Sequence, residues 1–259
     1  MNKVIMVGVA AFMLVAAGAG GSQAGVGFRA IGGFTHISYS DYNEWADDVN
    51  ESLAGVADVA NIRWVPEFGA EFYYTFSPMI EAGLGVGIIS GSSDIAVSDL
   101  TGTLSLEHGM KAYPLSANLY FRPAVPFVSM KPYVYGGVAM VYSSVDFSLR
   151  IPEAGETEGY DADLNAWGLG LHGGGGIEFS IAPKVSLDLG FRLRWADIDG
   201  FEGTATSLDG ETKDVFLAGE DSGDGFLYGA EDVAEKGNYD EGSVDLSGYS
   251  LYIGIKAGF

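Results

Sequence analysis

Residues 184–195 read KVSLDLGFRLRW and alternate without a break. Val185, Leu187, Leu189, Phe191, Leu193 and Trp195 fall on one side, Ser186, Asp188, Gly190, Arg192 and Arg194 on the other. Period-two alternation marks a β-strand whose two faces meet different surroundings. The pattern recurs in eight segments, near 26–38, 64–76, 79–89, 110–121, 132–145, 165–180, 184–196 and 248–259. The links after the second, fourth and sixth are short and carry Pro: FSPM, RPAVPFVSMKP and IAPK. The other links are long, Gly-rich and acidic. Short turns at one end and long loops at the other predict an up-and-down antiparallel meander, and closing it removes both edges. The expected fold is therefore all-β: one eight-stranded antiparallel barrel over 25–259, with long loops at about 39–62, 90–109, 146–163 and 197–247.

Volume decides which face points inward. In 64–76, Trp64, Phe68, Phe72, Tyr74 and Phe76 oppose Glu67, Gly69, Glu71, Tyr73 and Thr75. In 165–180, Trp167, Leu169, Leu171, Ile177 and Phe179 oppose Gly168, Gly170, His172, Gly174, Gly176 and Glu178. An eight-stranded interior holds only the side chains that fill it, so rows of Trp, Phe and Leu from every strand would overfill it. The bulky face points outward, and an outward apolar surface of that extent requires lipid. The pattern leaves the facing of 132–145 open. Trp64, Trp167 and Trp195 lie at the long-loop ends of their strands, and Phe76, Phe121 and Phe179 at the short-turn ends. Two aromatic belts flanking an apolar band are the interface signature of a transmembrane barrel. From Trp64 to Phe76 is twelve residue steps, which at ~3.3 Å per residue and a tilt near 45° spans roughly 28 Å, one hydrocarbon thickness.

The N-terminus carries its own message. Asn2 and Lys3 precede an apolar run from Val4 to Ala17, followed by glycines and Ser22-Gln23-Ala24. This reads as a secretory signal peptide over 1–24, cut before Gly25. The chain has no Cys, which removes disulfides, thiolate metal sites and a cysteine-linked lipid anchor. A net charge of −22 argues against nucleic acid, which requires a basic face.

The architecture resembles the small outer-membrane β-barrel family of Gram-negative bacteria, in the neighbourhood of OmpX, OmpW and the opacity proteins. The resemblance is carried by the leader, the YPLSANLYFRP to KPYVYGGVAMVY hairpin, the IAPKVSLDLGFR hairpin and the terminal YSLYIGIKAGF. It implies location in the outer membrane with both termini periplasmic, contact with its lipid and lipopolysaccharide, and a monomer. It also implies that Phe259, with Ala257, Ile255, Ile253 and Leu251 at alternate positions, is read by the barrel-assembly machinery. The role it implies is structural or surface-interacting, without enzymatic activity. The alternative is a narrow conduit for small apolar solutes of the OmpW type, and a lipid-modifying enzyme at the rim comes third.

The residues that carry chemistry fall into three groups. On the inward face, Arg29, Arg192, Arg194 and Lys256 meet Glu67, Glu71, Glu81, Glu178 and Asp188. The expected arrangement is an ion-pair network plugging the lumen. At the end of the first strand, His36 and Ser38 share a face and resemble the His-x-Ser pair of lipid A deacylases, but Tyr39 stands where that family has Asn. A polar strand end is the expected reading. His108 and His172 lack partners at metal-ligand spacing.

Most of the 35 acidic residues lie in the four long links, where solvation is the default. A weak divalent-cation site, for Ca or Mg, is the sharper expectation at Glu220, Asp221, Asp224 and Asp232. One stretch is helical: Trp45, Val49, Leu53, Val56 and Ala60 follow a 3.6 period in the first long link, and the stripe is expected to pack on neighbouring loops at the rim.

Overall fold

The computed structural model describes residues 25–52, 59–98, 103–123, 130–153, 156–221, 226–235 and 240–259. The expected leader 1–24 lies outside the described residues, as do Leu53 and Val56 of the helical stripe, Asp224, and 124–129 of the second short turn.

The elements in chain order are β1 (Gly25–Ile37), α1 (Ser40–Ser52), β2 (Trp64–Ser77), β3 (Ile80–Ser98), β4 (Thr103–Phe121), β5 (Met130–Glu153), β6 (Glu156–Ala182) and β7 (Val185–Trp195). After these come β8 (Asp197–Ile198), β9 (Glu202–Ser207), β10 (Thr212–Asp221), β11 (Phe226–Asp232), a 3-10 turn (Val233–Glu235), β12 (Val244–Asp245) and β13 (Gly248–Gly258). β1 to β7 pair in sequence, every pair antiparallel, and β13 pairs with both β7 and β1. Phe28 opposite Ala257 and Ile255 opposite Leu187 close the eight-stranded ring. At the β6–β7 turn, Pro183 is followed by Lys184 with φ of 65°, a left-handed residue that lets the two strands turn back directly.

Two of the expected loops are strands. β3 and β4 stay paired out to Ser98 opposite Thr103, and β5 and β6 out to Glu153 opposite Glu156. The described residues of 90–109 and 146–163 are thus the upper parts of two long strand pairs. The alternation does not stop there; it inverts. Along β3 the outward row runs Leu84, Val86, Ile88 and then Ser90, Ser92, Asp94, while the inward row runs Glu81, Gly83, Gly85 and then Ile89, Ser93, Ile95. A reading that requires a bulky outward face loses the strand at the point where water replaces lipid.

The described residues of 197–247 are likewise folded. β9 pairs with the upper half of β6, where β7 has ended, and β10 and β11 extend that sheet. β8 and β12 pair beside it. Its carboxylates belong to a scaffold whose Ile198, Phe201, Val215, Leu217, Val244 and Leu246 are fully or nearly fully buried.

Candidate functional site: lumen and mouth

Two polar clusters fill the membrane-level interior. The lower one is built around Arg29, from the middle of β1. Its guanidinium lies 2.7 Å from Glu71, 3.3 Å from Glu81, 3.1 Å from Glu178 and 3.0 Å from Asp188, carboxylates contributed by β2, β3, β6 and β7. Lys256 of β13 reaches Glu81 at 2.7 Å and Glu178 at 3.0 Å. Arg122, just past the end of β4, reaches the same two at 3.0 and 2.6 Å. The upper cluster has Glu67 of β2 at its centre, taking Arg192 and Arg194 of β7 at 2.6 Å each and the Ser250 hydroxyl at 2.8 Å. All nine residues expected in the lumen lie in these two clusters. Five cations face five carboxylates, and each carboxylate is met by at least one guanidinium or ammonium, the arrangement that offsets the large cost of burying charge.

The expected set left out Arg122 and a layer of neutral partners. Tyr120 donates to Glu71 at 2.8 Å, Tyr133 to Asp188 at 2.6 Å, and Asn118 also donates to Glu71. The Arg29 guanidinium sits 4.4 Å from the Tyr120 ring, and the Lys256 ammonium 4.3 Å from that of Tyr73. These tyrosines fit because glycines face them across the ladder: Tyr73 opposite Gly27, Tyr133 opposite Gly176, Tyr135 opposite Gly174 and Tyr252 opposite Gly190. A Cβ on Gly176 would stand 2.5 Å from the Tyr133 hydroxyl. The signal was available in the parity: Asn118, Tyr120 and Arg122 continue one inward row, and 173–176 is a run of four glycines. The register also settles β5, with Tyr133, Tyr135 and Gly137 inward and Val134, Val138 and Met140 outward.

Above the charged levels the interior turns apolar. Ile37, Val65, Ile89, Met110, Val141, Val145, Phe147 and Leu164 from the barrel wall pack with Ile198, Phe201, Val244 and Leu246 from the 197–247 region. The helix takes part in this core. Tyr39 and Tyr42 are fully buried, Tyr42 stacks on His108 at 4.4 Å between centroids, and the Tyr39 hydroxyl meets His108 Nε2 at 2.8 Å. Asn43 and Asn50, two turns apart on one face, clamp the helix to the returning chain through the backbone of Ile62 and Val59. Of the expected stripe, Trp45 and Val49 are partly buried against this core, while the two rings that enter the mouth are Tyr42 of the helix and Tyr39 just before it, neither of them in the stripe. Ala60 lies past the end of the helix. Burial pushes the Tyr42 phenol up to about 12.

The remaining expected sites separate. His36 points outward, 5.3 Å from the Trp64 ring and 5.1 Å from that of Tyr249, while the Ser38 hydroxyl donates to the Ser247 carbonyl at 3.2 Å. His36 thus belongs to the aromatic belt, and Ser38 does not meet it. His172 meets Asn118 at 2.5 Å. The candidate cation ligands are split by register: Glu220 pairs with Leu227, whereas Asp232 pairs with Val215, about 17 Å further along the hairpin, and caps the 3-10 turn through the Ala234 amide at 2.8 Å. Among the described residues no group of three ligand-type side chains is arranged for a metal.

The outward surface carries Trp64, Trp167 and Trp195 at one level and Phe76, Phe121 and Phe259 at the other, all exposed, with Phe179 of the same row half-buried. Between them Leu169, Leu171, Val138, Leu119, Phe68, Leu251, Ile253 and Ile255 are each more than half exposed. Water would not tolerate so large an apolar band. A major outer membrane protein from Thermus thermophilus superposes with a TM-score of 0.55, covering 91% of this chain and 99% of that one at 14% identity. The fold is that of an outer-membrane β-barrel. The outer membrane protein OprG of Pseudomonas aeruginosa (TM-score 0.38, 15% identity, 91% of this chain and 94% of that one) and the N-terminal barrel of OprF from the same organism (0.34, 10%, 91% and 99%) also match. No protein-family model matches the chain, and no curated protein matches it in sequence.

Proposed function

We propose that the protein is a structural and surface-interacting outer-membrane barrel whose lumen does not conduct, with both termini in the periplasm and the folded acidic half outside the cell. The observation that carries this reading is the lumen itself: a five-against-five ion-pair network crosses the barrel, and an apolar core roofs it. A solute would have to break buried ion pairs, each costly to strip of its partner, and then part a packed core. The orientation follows from the short turns at one end and the long acidic hairpins at the other, the usual outer-membrane arrangement. In it, the outward row of β13 is the surface offered to the barrel-assembly machinery. Divalent cations bridging exposed carboxylates to lipopolysaccharide phosphates would relieve the repulsion between two acidic surfaces.

The test is single-channel recording of the refolded protein in planar bilayers. The expected record has no unitary steps. Porin-sized steps would overturn the plug, and small steps blocked by an apolar solute would favour the narrow-conduit alternative.

A further inference from the structure

Between the two charged clusters the barrel encloses a cavity of about 40 Å³. That is room for two or three waters at roughly 15 Å³ each. Arg194 lines it and is 6% exposed. One of its terminal nitrogens, Nη2, is engaged by Glu67 at 2.6 Å. The other, Nη1, is buried and has no hydrogen-bond partner in the protein. A buried guanidinium N–H left unmatched costs a good part of its hydration, so this nitrogen calls for an acceptor.

The charges around the cavity define that acceptor. Arg29, Arg192 and Arg194 line it with Glu67 and Glu71; Arg29 is also shared with three carboxylates outside the cavity, so the excess positive charge lies in the upper cluster, where two arginines share Glu67. Both carboxylates are already occupied, Glu67 by two arginines and Ser250, Glu71 by Arg29, Tyr120 and Asn118. A cation would therefore find repulsion and no open ligand. An anion finds Arg194 Nη1 and the Ser116 hydroxyl, whose oxygen accepts from Asn118 at 3.4 Å and whose proton is left free to turn inward. The small wall residues leave space for one monatomic ion, and the single excess charge matches a monovalent one.

We infer that this cavity is a binding site for one small monovalent anion of the halide class, held by Arg194 between the two ion-pair clusters. The anion completes the hydrogen bonding of the guanidinium and balances the upper cluster, where two arginines share one glutamate. It is a structural ligand of the barrel and does not depend on whether the lumen conducts.

Equilibrium urea unfolding of the full mature chain in lipid vesicles, in sodium bromide or in sodium gluconate of equal ionic strength, tests the site; the matched salts remove ordinary screening. Bromide is expected to raise the midpoint. Once the site is saturated, each tenfold rise in bromide should raise the folded-to-unfolded ratio about tenfold, the linkage behaviour of one bound ion. Arg194→Gln should abolish the difference between the salts. Crystals of the unaltered chain grown with bromide should give an anomalous peak within hydrogen-bonding distance of Arg194 Nη1, a readout that stands even if the variant fails to fold. Superimposable unfolding curves in the two salts, or bromide crystals with water alone in the cavity, would overturn the proposal.

Discussion

The two halves of β5 obey opposite rules. In its lower half the strand turns Tyr133, Tyr135 and Gly137 inward and Val134, Val138 and Met140 outward; in its upper half it turns Val141, Val145 and Phe147 inward and Ser144, Asp146 and Ser148 outward. The register is unbroken, so the backbone does not explain the inversion. The medium outside does. In lipid, an apolar side chain gains little by turning inward, so the bulky residues face out and the interior is held by ion pairs and tyrosine hydroxyls. In water, burial of apolar surface is the main driving force and the same strand must be greasy inside. The lower half is thus cross-linked by charge, the upper half by packing, and substitutions should expose the two mechanisms separately.

The largest effect is expected in the charged half. Arg29→Ala would leave four carboxylates facing only Arg122 and Lys256, and should cost ~3–5 kcal/mol as a broken buried pair, read as a lower urea midpoint in vesicles. A loss no larger than that of an exposed pair such as Arg63–Asp47 would mean the network is hydrated and the contrast false.

In the packed half, Leu164→Ala removes a side chain that is 1% exposed within the apolar core and should cost ~2–5 kcal/mol. Because the ion pairs lie below it, this variant is expected to loosen the upper hairpins first. Faster protease cleavage in 197–247, with the membrane-level strands still protected, would mark that order; simultaneous loss of both would show the halves to be one cooperative unit.

Two positions on the outward face of β5 compare the media directly. Val138→Arg places charge at the middle of the lipid band and should cost ~2–4 kcal/mol, whereas Ser144→Arg, six residues along the same row, should change stability by under ~0.5 kcal/mol. Equal costs would move the membrane boundary away from where the hydropathy inverts.

The smallest effect is a pH dependence. With the Tyr42 phenol raised to about 12 when folded, the folded state holds its proton more tightly than the unfolded chain. The stabilisation is present below the ordinary value near 10 and fades as pH rises through about 12. Phenolate absorbance near pH 10 should be the same in the unaltered chain and in a Tyr42→Phe control, the two differing by one tyrosine only as pH approaches 12, and one tyrosine more in the unaltered chain already near pH 10 would mean that the ring is wet.

Some of this was decided by the sequence alone. Alternation in KVSLDLGFRLRW and seven like segments determines strands, and the volume of Trp, Phe and Leu against Gly and charge determines which side meets lipid, because both are properties of one strand and its two faces. The nine lumen charges followed from the same parity. What one strand cannot carry is which residue stands across from it. That Arg122 returns into the lumen, that tyrosines lie over the glycines of neighbouring strands, and that Arg192 and Arg194 share Glu67 while Arg29 gathers four carboxylates all depend on the shear between strands, which only the closed barrel sets. The upper half was hidden for a further reason. Its hydrophobic residues come from β1 to β6, α1 and the 197–247 region, each contributing too few to read as a core, and they become one only where the closed barrel brings them together above the lipid.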